Sequence, residues 1–179
     1  MLKLKVILSE KFNEETNRIV VETIDIELEH SLASLSKWEE KWKIPLLSTQ
    51  DKTEEMNIDY LMCMCLTPDV TPEILYKLTE EQQTQISDYL ETKHTATWFS
   101  NQPQARSGET ITAELIYFWM SSFNINWESQ YWNLSRLLTL IQVFSVKQDN
   151  KPTPQSRRNR QMDIARINAQ RRAELGSKG

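Results

Sequence analysis

Only three glycines occur in 179 residues. Tight-turned β architectures consume residues that accept positive φ, so a glycine-poor chain has to build most of its fold from helices. One segment escapes that rule. Leu2, Leu4, Val6 and Leu8 alternate with Lys3, Lys5 and Ile7, and Ile19, Val21 and Thr23 alternate with polar neighbours before Ile24, Ile26 and Leu28. A two-residue period puts alternate side chains on opposite faces of a strand. The polar stretch Glu10 to Asn17 between the runs suits a loop, so residues 2–28 are expected to form a β-hairpin. A lone hairpin is marginal in water, so this one must pack on helices or add to the sheet of another chain.

From Ser31 the apolar period becomes helical. Leu32, Leu35, Trp38 and Trp42 recur at spacings of three and four, with Lys37, Glu39, Glu40 and Lys41 between them, until Pro45 ends the pattern. A second helix opens near Asp51-Lys-Thr-Glu54 and runs through Ile58, Leu61 and Cys65. Thr71-Pro72-Glu73 reads as an N-cap followed by proline at the first helical position, and Thr79-Glu-Glu-Gln82 fits a capping box. Short helices over 72–78 and 80–90 follow. Residues 100–108 are polar, contain Pro103 and Gly108, and read as a surface loop. The most apolar stretch comes next: Ile111 to Phe123, a break at Asn124-Ile-Asn126, then Tyr131 to Phe144. So short a link predicts an antiparallel helix pair forming the centre of the core, with Trp127 and Trp132 at the start of its second helix. The expected fold is α+β and predominantly α-helical, a hairpin packed on a bundle of about five or six helices.

Charge divides the chain. Residues 147–179 carry nine Lys or Arg against three Asp or Glu, whereas residues 1–146 carry twelve against twenty-two. An acidic body over 1–146 is expected, with the hairpin at 2–28 and helices at 31–146. A linker at 147–155 around Lys151-Pro-Thr-Pro154 then leads to a basic helix or tail at 156–179. No apolar run approaches the roughly 18 to 20 residues needed to span a bilayer, and Met1-Leu-Lys-Leu-Lys5 lacks a signal-peptide apolar region. The expectation is a soluble intracellular protein without membrane contact.

No catalytic signature stands out. Glu54-Glu55 with Asp59, and Glu80-Glu81, are paired carboxylates, but each pair begins a predicted helix, where negative charge complements the macrodipole. His94 lies beside Thr95 and Thr97 without a visible base and orienting acid. Cys63 and Cys65, the only cysteines, would point about 200° apart on a helix, and His30 and His94 are the only histidines, so no metal or cofactor site is expected. Of six tryptophans, Trp38, Trp42 and Trp119 fall on apolar helical faces, while Trp127 and Trp132 flank polar residues and are candidate interface anchors.

The basic segment has three readings. Arg157, Arg158, Arg160, Arg166, Arg171 and Arg172 suit phosphate tracking on nucleic acid. Met162, Ile164, Ala165, Ile167, Ala169, Ala173 and Leu175 give the same segment an apolar stripe of the kind that docks in a partner protein's groove, and it contains no aromatic residue to stack bases. A solvated, frayed terminus is the third. Protein binding is preferred, with Arg157, Arg158, Arg160, Ile164, Ile167, Arg171 and Arg172 as the candidate contacts.

Several stretches together resemble tailed-bacteriophage tail assembly chaperones. They are Leu28-Glu-His-Ser-Leu-Ala-Ser-Leu-Ser-Lys-Trp-Glu-Glu-Lys-Trp42, Thr95-Ala-Thr-Trp-Phe99, Ile111-Thr-Ala-Glu-Leu-Ile-Tyr-Phe-Trp-Met120, Trp132-Asn-Leu-Ser-Arg-Leu-Leu-Thr-Leu-Ile141 and Asn168-Ala-Gln-Arg-Arg-Ala-Glu-Leu-Gly176. The resemblance implies a small, helical, non-enzymatic protein of the host cytoplasm during phage assembly. Its partners would be the tape-measure protein and tail-tube subunits, beside a homo-oligomeric form, and it would often be absent from the finished virion. Many such proteins also have a longer product made by ribosomal frameshifting. The long basic segment departs from the pattern and suits a structural subunit retained in the tail, baseplate or neck. A nucleic-acid-binding protein is the remaining alternative, opposed by the acidic body.

Overall fold

A computed structural model describes residues 1–14, 17–97, 110–149, 161–168 and 171. The fold is α+β and predominantly helical, an N-terminal antiparallel hairpin followed by helices. Contact between residues divides the chain into two compact units, Met1–Gln142 and Val143–Gly179.

Strand β1 (Leu2–Asn13) pairs with β2 (Arg18–Leu28). The strands run further than their apolar pattern predicts. Residues 10–13, expected in the loop, pair with residues 21–18, and Asn17 just before β2 takes φ 48°. Ladder hydrogen bonds come from the backbone, so polar side chains do not stop a strand whose partner continues. The register steps between Ile7 and Ser9, leaving Leu8 as a bulge. On the body side of that bulge Leu4, Val6, Ile26 and Leu28 are buried against the helices.

Ser31 caps helix α1 (Leu32–Trp42) in a box with Ser34, and Lys43 ends it in the left-handed conformation, φ 58°. Fully buried Leu32, Leu35 and Trp38 line the inner face of α1, and the Trp38 indole donates to the Met56 carbonyl at 2.8 Å. Thr53 caps α2 (Glu54–Met64). Helix α3 (Pro72–Leu75) is shorter than the predicted 72–78, because Lys77 and Leu78 donate to carbonyls three residues back, tightening the last turn out of α geometry. The predicted capping box of Thr79 and Gln82 opens α4 (Glu80–Glu91).

The expected antiparallel pair at the centre of the core is not what forms. Helix α5 (Ala113–Ser122) is followed by left-handed Asn124 and a separate 3-10 helix, Trp127–Tyr131, capped by Asn126, before α6 (Leu134–Asp149) begins. Asn133 restarts the helix by accepting from the Ser135 amide at 3.0 Å. These polar interruptions redirect the chain. As a result α1 is the central element, packed against α2, α5 and the 3-10 helix, and α6 adds buried Leu134, Leu137 and Ile141. Trp127 therefore belongs to the 3-10 helix and not to the second long helix.

Helix α6 also passes the predicted linker start at Lys147 and reaches Asp149. The rest of the expected linker lies outside the described residues. Residues 161–168 are helical.

One buried charge joins loops to the core. Glu39, 7% exposed, accepts from the Leu46 amide at 2.9 Å and from the Ala113 amide at 2.7 Å. It thereby holds the turn after α1 and satisfies a donor at the N-terminus of α5. Among the described residues no helix is long and apolar enough to cross a membrane.

Candidate functional site

The sequence-predicted polar groups take ordinary structural roles. Glu54, Glu55, Glu80 and Glu81 are exposed in first helical turns. Asp59 pairs with Lys41 and accepts from the Trp42 indole at 3.1 Å. Cys63 and Cys65 are half-buried free thiols, both pushed up by burial. Among the described residues no cluster of three or more His, Cys, Asp or Glu could hold a metal.

A half-buried polar knot around Tyr60 and Tyr89 has no signature in the sequence. The Tyr89 hydroxyl donates to Glu29 Oε1 at 2.7 Å, and Asn133 Nδ2 donates to the same oxygen at 3.3 Å. His30 Nδ1 bonds the Tyr60 hydroxyl, while the Leu134 amide donates to the His30 carbonyl at 2.7 Å. His94 rests on the Tyr89 ring at 4.9 Å between centroids, and its amide donates to Ser135 Oγ at 3.0 Å. Burial pushes His30 down to about 4, with Glu29 opposing and His94 adding to the shift. Burial also raises Tyr60, and raises Tyr89 to about 12 together with the Glu29 hydrogen bond. For Glu29 burial works upward, but hydrogen bonds from the terminal amine, Tyr89 and Asn133 hold it below the usual carboxylate value. The knot ties the end of β2 to α2, α4 and α6. Its members are one or two of each type scattered along the chain, so no spacing announces it.

Apolar side chains left in solvent are the more informative feature. Trp127 is 55% exposed, Tyr131 65% and Trp132 38%. These three aromatics fall within six consecutive residues, on the 3-10 helix and its C-cap. Tyr117 stacks on Trp127 at 5.5 Å and donates to Gln130 at 2.9 Å, and the Arg136 guanidinium sits 4.4 Å over the Trp132 ring. Phe118 on α5 is exposed as well. Of the tryptophans expected in the core, Trp38 is fully buried and Trp42 and Trp119 are partly buried against the core, whereas Trp127 and Trp132 are exposed.

The outer half of the hairpin is a second such surface. Its apolar phase inverts along the strands. Near the body Leu4, Val6, Ile26 and Leu28 face the helices and Lys3, Lys5, Asp25 and Glu27 face outward. From Ile7, at the bulge, and beyond it the outward face instead carries apolar side chains, Ile7, Phe12, Ile19 and Val21, all exposed. In the Val143–Gly179 unit, Met162, Ile164 and Ile167 are exposed on the helix at 161–168, and Arg171 is helical and exposed. Arg157, Arg158, Arg160 and Arg172 lie outside the described residues.

Grooves also line the surface among the described residues. One, of about 500 Å³, lies between α2, α3 and α4 beside Ile58, Leu61, Leu75, Ile86 and Leu90; another, of about 400 Å³, lies beside Glu39, Glu40, Lys43 and Glu114. No protein-family model, curated protein or solved structure matches this chain.

Proposed function

We propose that this protein is a non-enzymatic assembly factor of phage tails that binds other tail proteins, the tape-measure protein and tail-tube subunits, through exposed apolar and aromatic surface. The observation that carries the binding role is the aromatic cluster Trp127, Tyr131 and Trp132. The unit fills its core with Trp38, Leu32, Leu137 and their neighbours, yet leaves these three aromatics in water. Aromatic groups on a rigid support lose little conformational entropy when covered, which makes them effective anchors. The phage setting rests on the sequence resemblance. The acidic body suits a role that requires solubility while apolar clients are held.

The exposed stripe of Ile164 and Ile167 on a basic segment supplies a second contact of the same kind. Its test is a pull-down against tail proteins and a random DNA duplex. Replacing Arg157, Arg158, Arg160, Arg171 and Arg172 with Gln should weaken tail-protein binding most at low salt. Replacing Ile164 and Ile167 with Ser should weaken it at every salt concentration. If neither variant changes tail-protein binding while the Arg variant loses DNA, the segment binds nucleic acid. The runner-up reading, a structural subunit of tail, baseplate or neck, is favoured by the length of that basic segment. It predicts the protein at stoichiometric amounts in purified virions.

A further inference from the structure

The free edge of β2 points to a second copy of this chain. We propose that two molecules associate by antiparallel pairing of Arg18–Glu22 with the same segment of the second copy, forming a four-stranded sheet in the order β1-β2-β2-β1. The inference stands apart from the tail-assembly reading.

The two outer edges of the hairpin are treated differently by the fold. On β1 the Gln82 side chain donates to the Lys5 carbonyl at 2.7 Å and Lys77 donates to the Leu8 carbonyl at 2.8 Å, so that edge is covered from α4 and the segment before it. On β2 the body end is covered too. The Leu66 amide donates to the Glu27 carbonyl at 2.8 Å, and the Glu27 amide donates to Thr67 Oγ1 at 2.9 Å. These bonds also show which residues of β2 turn their backbone groups away from β1. Glu27 does, and alternation extends the pattern to Asp25, Thr23, Val21 and Ile19. Beyond the Thr67 contact to the Asp25 carbonyl, no hydrogen bond to that edge is made among the described residues. The open stretch carries Ile19, Val20 and Val21, at 63%, 52% and 44% exposure, with no proline and no bulge on β2. Monomeric proteins usually interrupt such an edge.

The sequence of that edge is complementary to itself in one register. With Val20 on the two-fold axis, Arg18 of each copy faces Glu22 of the other, and Ile19 faces Val21. The Ile19 and Val21 pairs are the ones whose amides and carbonyls point outward, so each exchanges two hydrogen bonds across the axis. Arg18 makes no ion pair among the described residues, and Glu22 has one oxygen accepting from Ser9 at 3.0 Å, with its other oxygen available. Centring the axis on Val21 would place Arg18 against apolar Ile24. Centring it on Glu22 would oppose two carboxylates. Charge therefore selects Val20. In this arrangement Leu28 and its counterpart lie sixteen residues apart along the strands, roughly 50 Å at about 3.3 Å per residue, so the helical bodies sit at opposite ends. The outward stripe of Phe12, Ile19 and Val21 becomes continuous across both copies.

The test combines sedimentation of the full chain with cysteine cross-linking. The wild type should sediment as a concentration-dependent dimer. Because symmetry repeats each pair, Arg18→Glu or Glu22→Arg alone changes two contacts at once and should weaken dimerisation by roughly tenfold or more. The double variant Arg18→Glu/Glu22→Arg should return to within about threefold of wild type, which separates a lost contact from a misfolded arm. In a Cys63→Ser/Cys65→Ser background, Val20→Cys should form an interchain disulfide, since facing residues on the axis have Cα atoms about 4.5 Å apart, within disulfide range. Val21→Cys should not. A chain that stays monomeric at every concentration, a double variant that fails to recover, or cross-linking at position 21 in place of 20 would each overturn the proposal.

Discussion

Acid should destabilise this protein early, through His30. The imidazole is half-buried beside Tyr60 and desolvation pushes its pKa down to about 4, against the ordinary 6.5. The folded pKa lies below the unfolded one, so as pH falls the unfolded chain takes up the proton first. Stability present at neutral pH is lost through the window from about 6.5 to about 4. For these two pKa values the loss between pH 7 and pH 5 is about 2 kcal/mol, rising to about 3 kcal/mol once pH is below the folded value. For a domain of this size that corresponds to a fall in Tm of about 4 to 8 °C at pH 5. Glu29, held below its usual value, adds its own loss only below the ordinary carboxylate value of 4.5, outside that interval. Urea denaturation of wild type and His30→Gln at pH 7 and pH 5 isolates the imidazole, because glutamine offers the Tyr60 hydroxyl an amide that does not titrate. The excess loss in the wild type should be about 2 kcal/mol, and an NMR titration should place the imidazole midpoint near 4. Equal losses in both proteins would refute the desolvated neutral histidine.

Three further outcomes test the packing. Leu137→Ala should cost about 2 to 5 kcal/mol in chemical denaturation, since Leu137 is fully buried, while half-buried Leu138→Ala should cost distinctly less; the reverse order would mean that α6 is rotated. Glu39→Ala strands two buried amides and should cost about 2 to 5 kcal/mol, whereas a near-neutral effect would show that water replaces the carboxylate. Truncation after Asn150 should leave the Tm of the remaining chain within about 2 °C of wild type by calorimetry, because the core cluster ends at Ile141 among the described residues; a large fall would show that the basic segment packs into it.

What could be read from the sequence was whatever a local period or cap encodes. The change from alternation to a helical period at Ser31, the capping box of Thr79 and Gln82, and the burial of Trp38 all depend on neighbours a few residues away. The expected core position of the last two long helices failed because short polar interruptions, left-handed Asn124 and the cap Asn126, decide chain direction, and apolar density does not encode direction. Glu39 reads as one more solvated charge beside Glu40; only the approach of Leu46 and Ala113 makes it a core acceptor. The outward apolar face of the hairpin was half visible. Ile19, Val21 and Phe12 stand in the sequence, but their common face emerges only from the pairing register and the bulge at Leu8. Trp127 and Trp132 stand out in the sequence by their polar neighbours, and the structure leaves both exposed, on the 3-10 helix and at its C-cap.

If exposed aromatic and apolar groups serve protein partners, co-expression with a tape-measure protein should reveal it. The soluble fraction of that protein should rise several-fold with the wild-type chain. It should fall back toward the unassisted level when Trp127, Tyr131 and Trp132 are replaced by Ser, with the variant's own Tm unchanged, because centrally placed aromatic anchors commonly contribute about 2 kcal/mol or more each to binding. A tape-measure protein equally insoluble with and without the wild-type chain, or equally protected by the triple variant, would show that these aromatics do not serve as partner anchors.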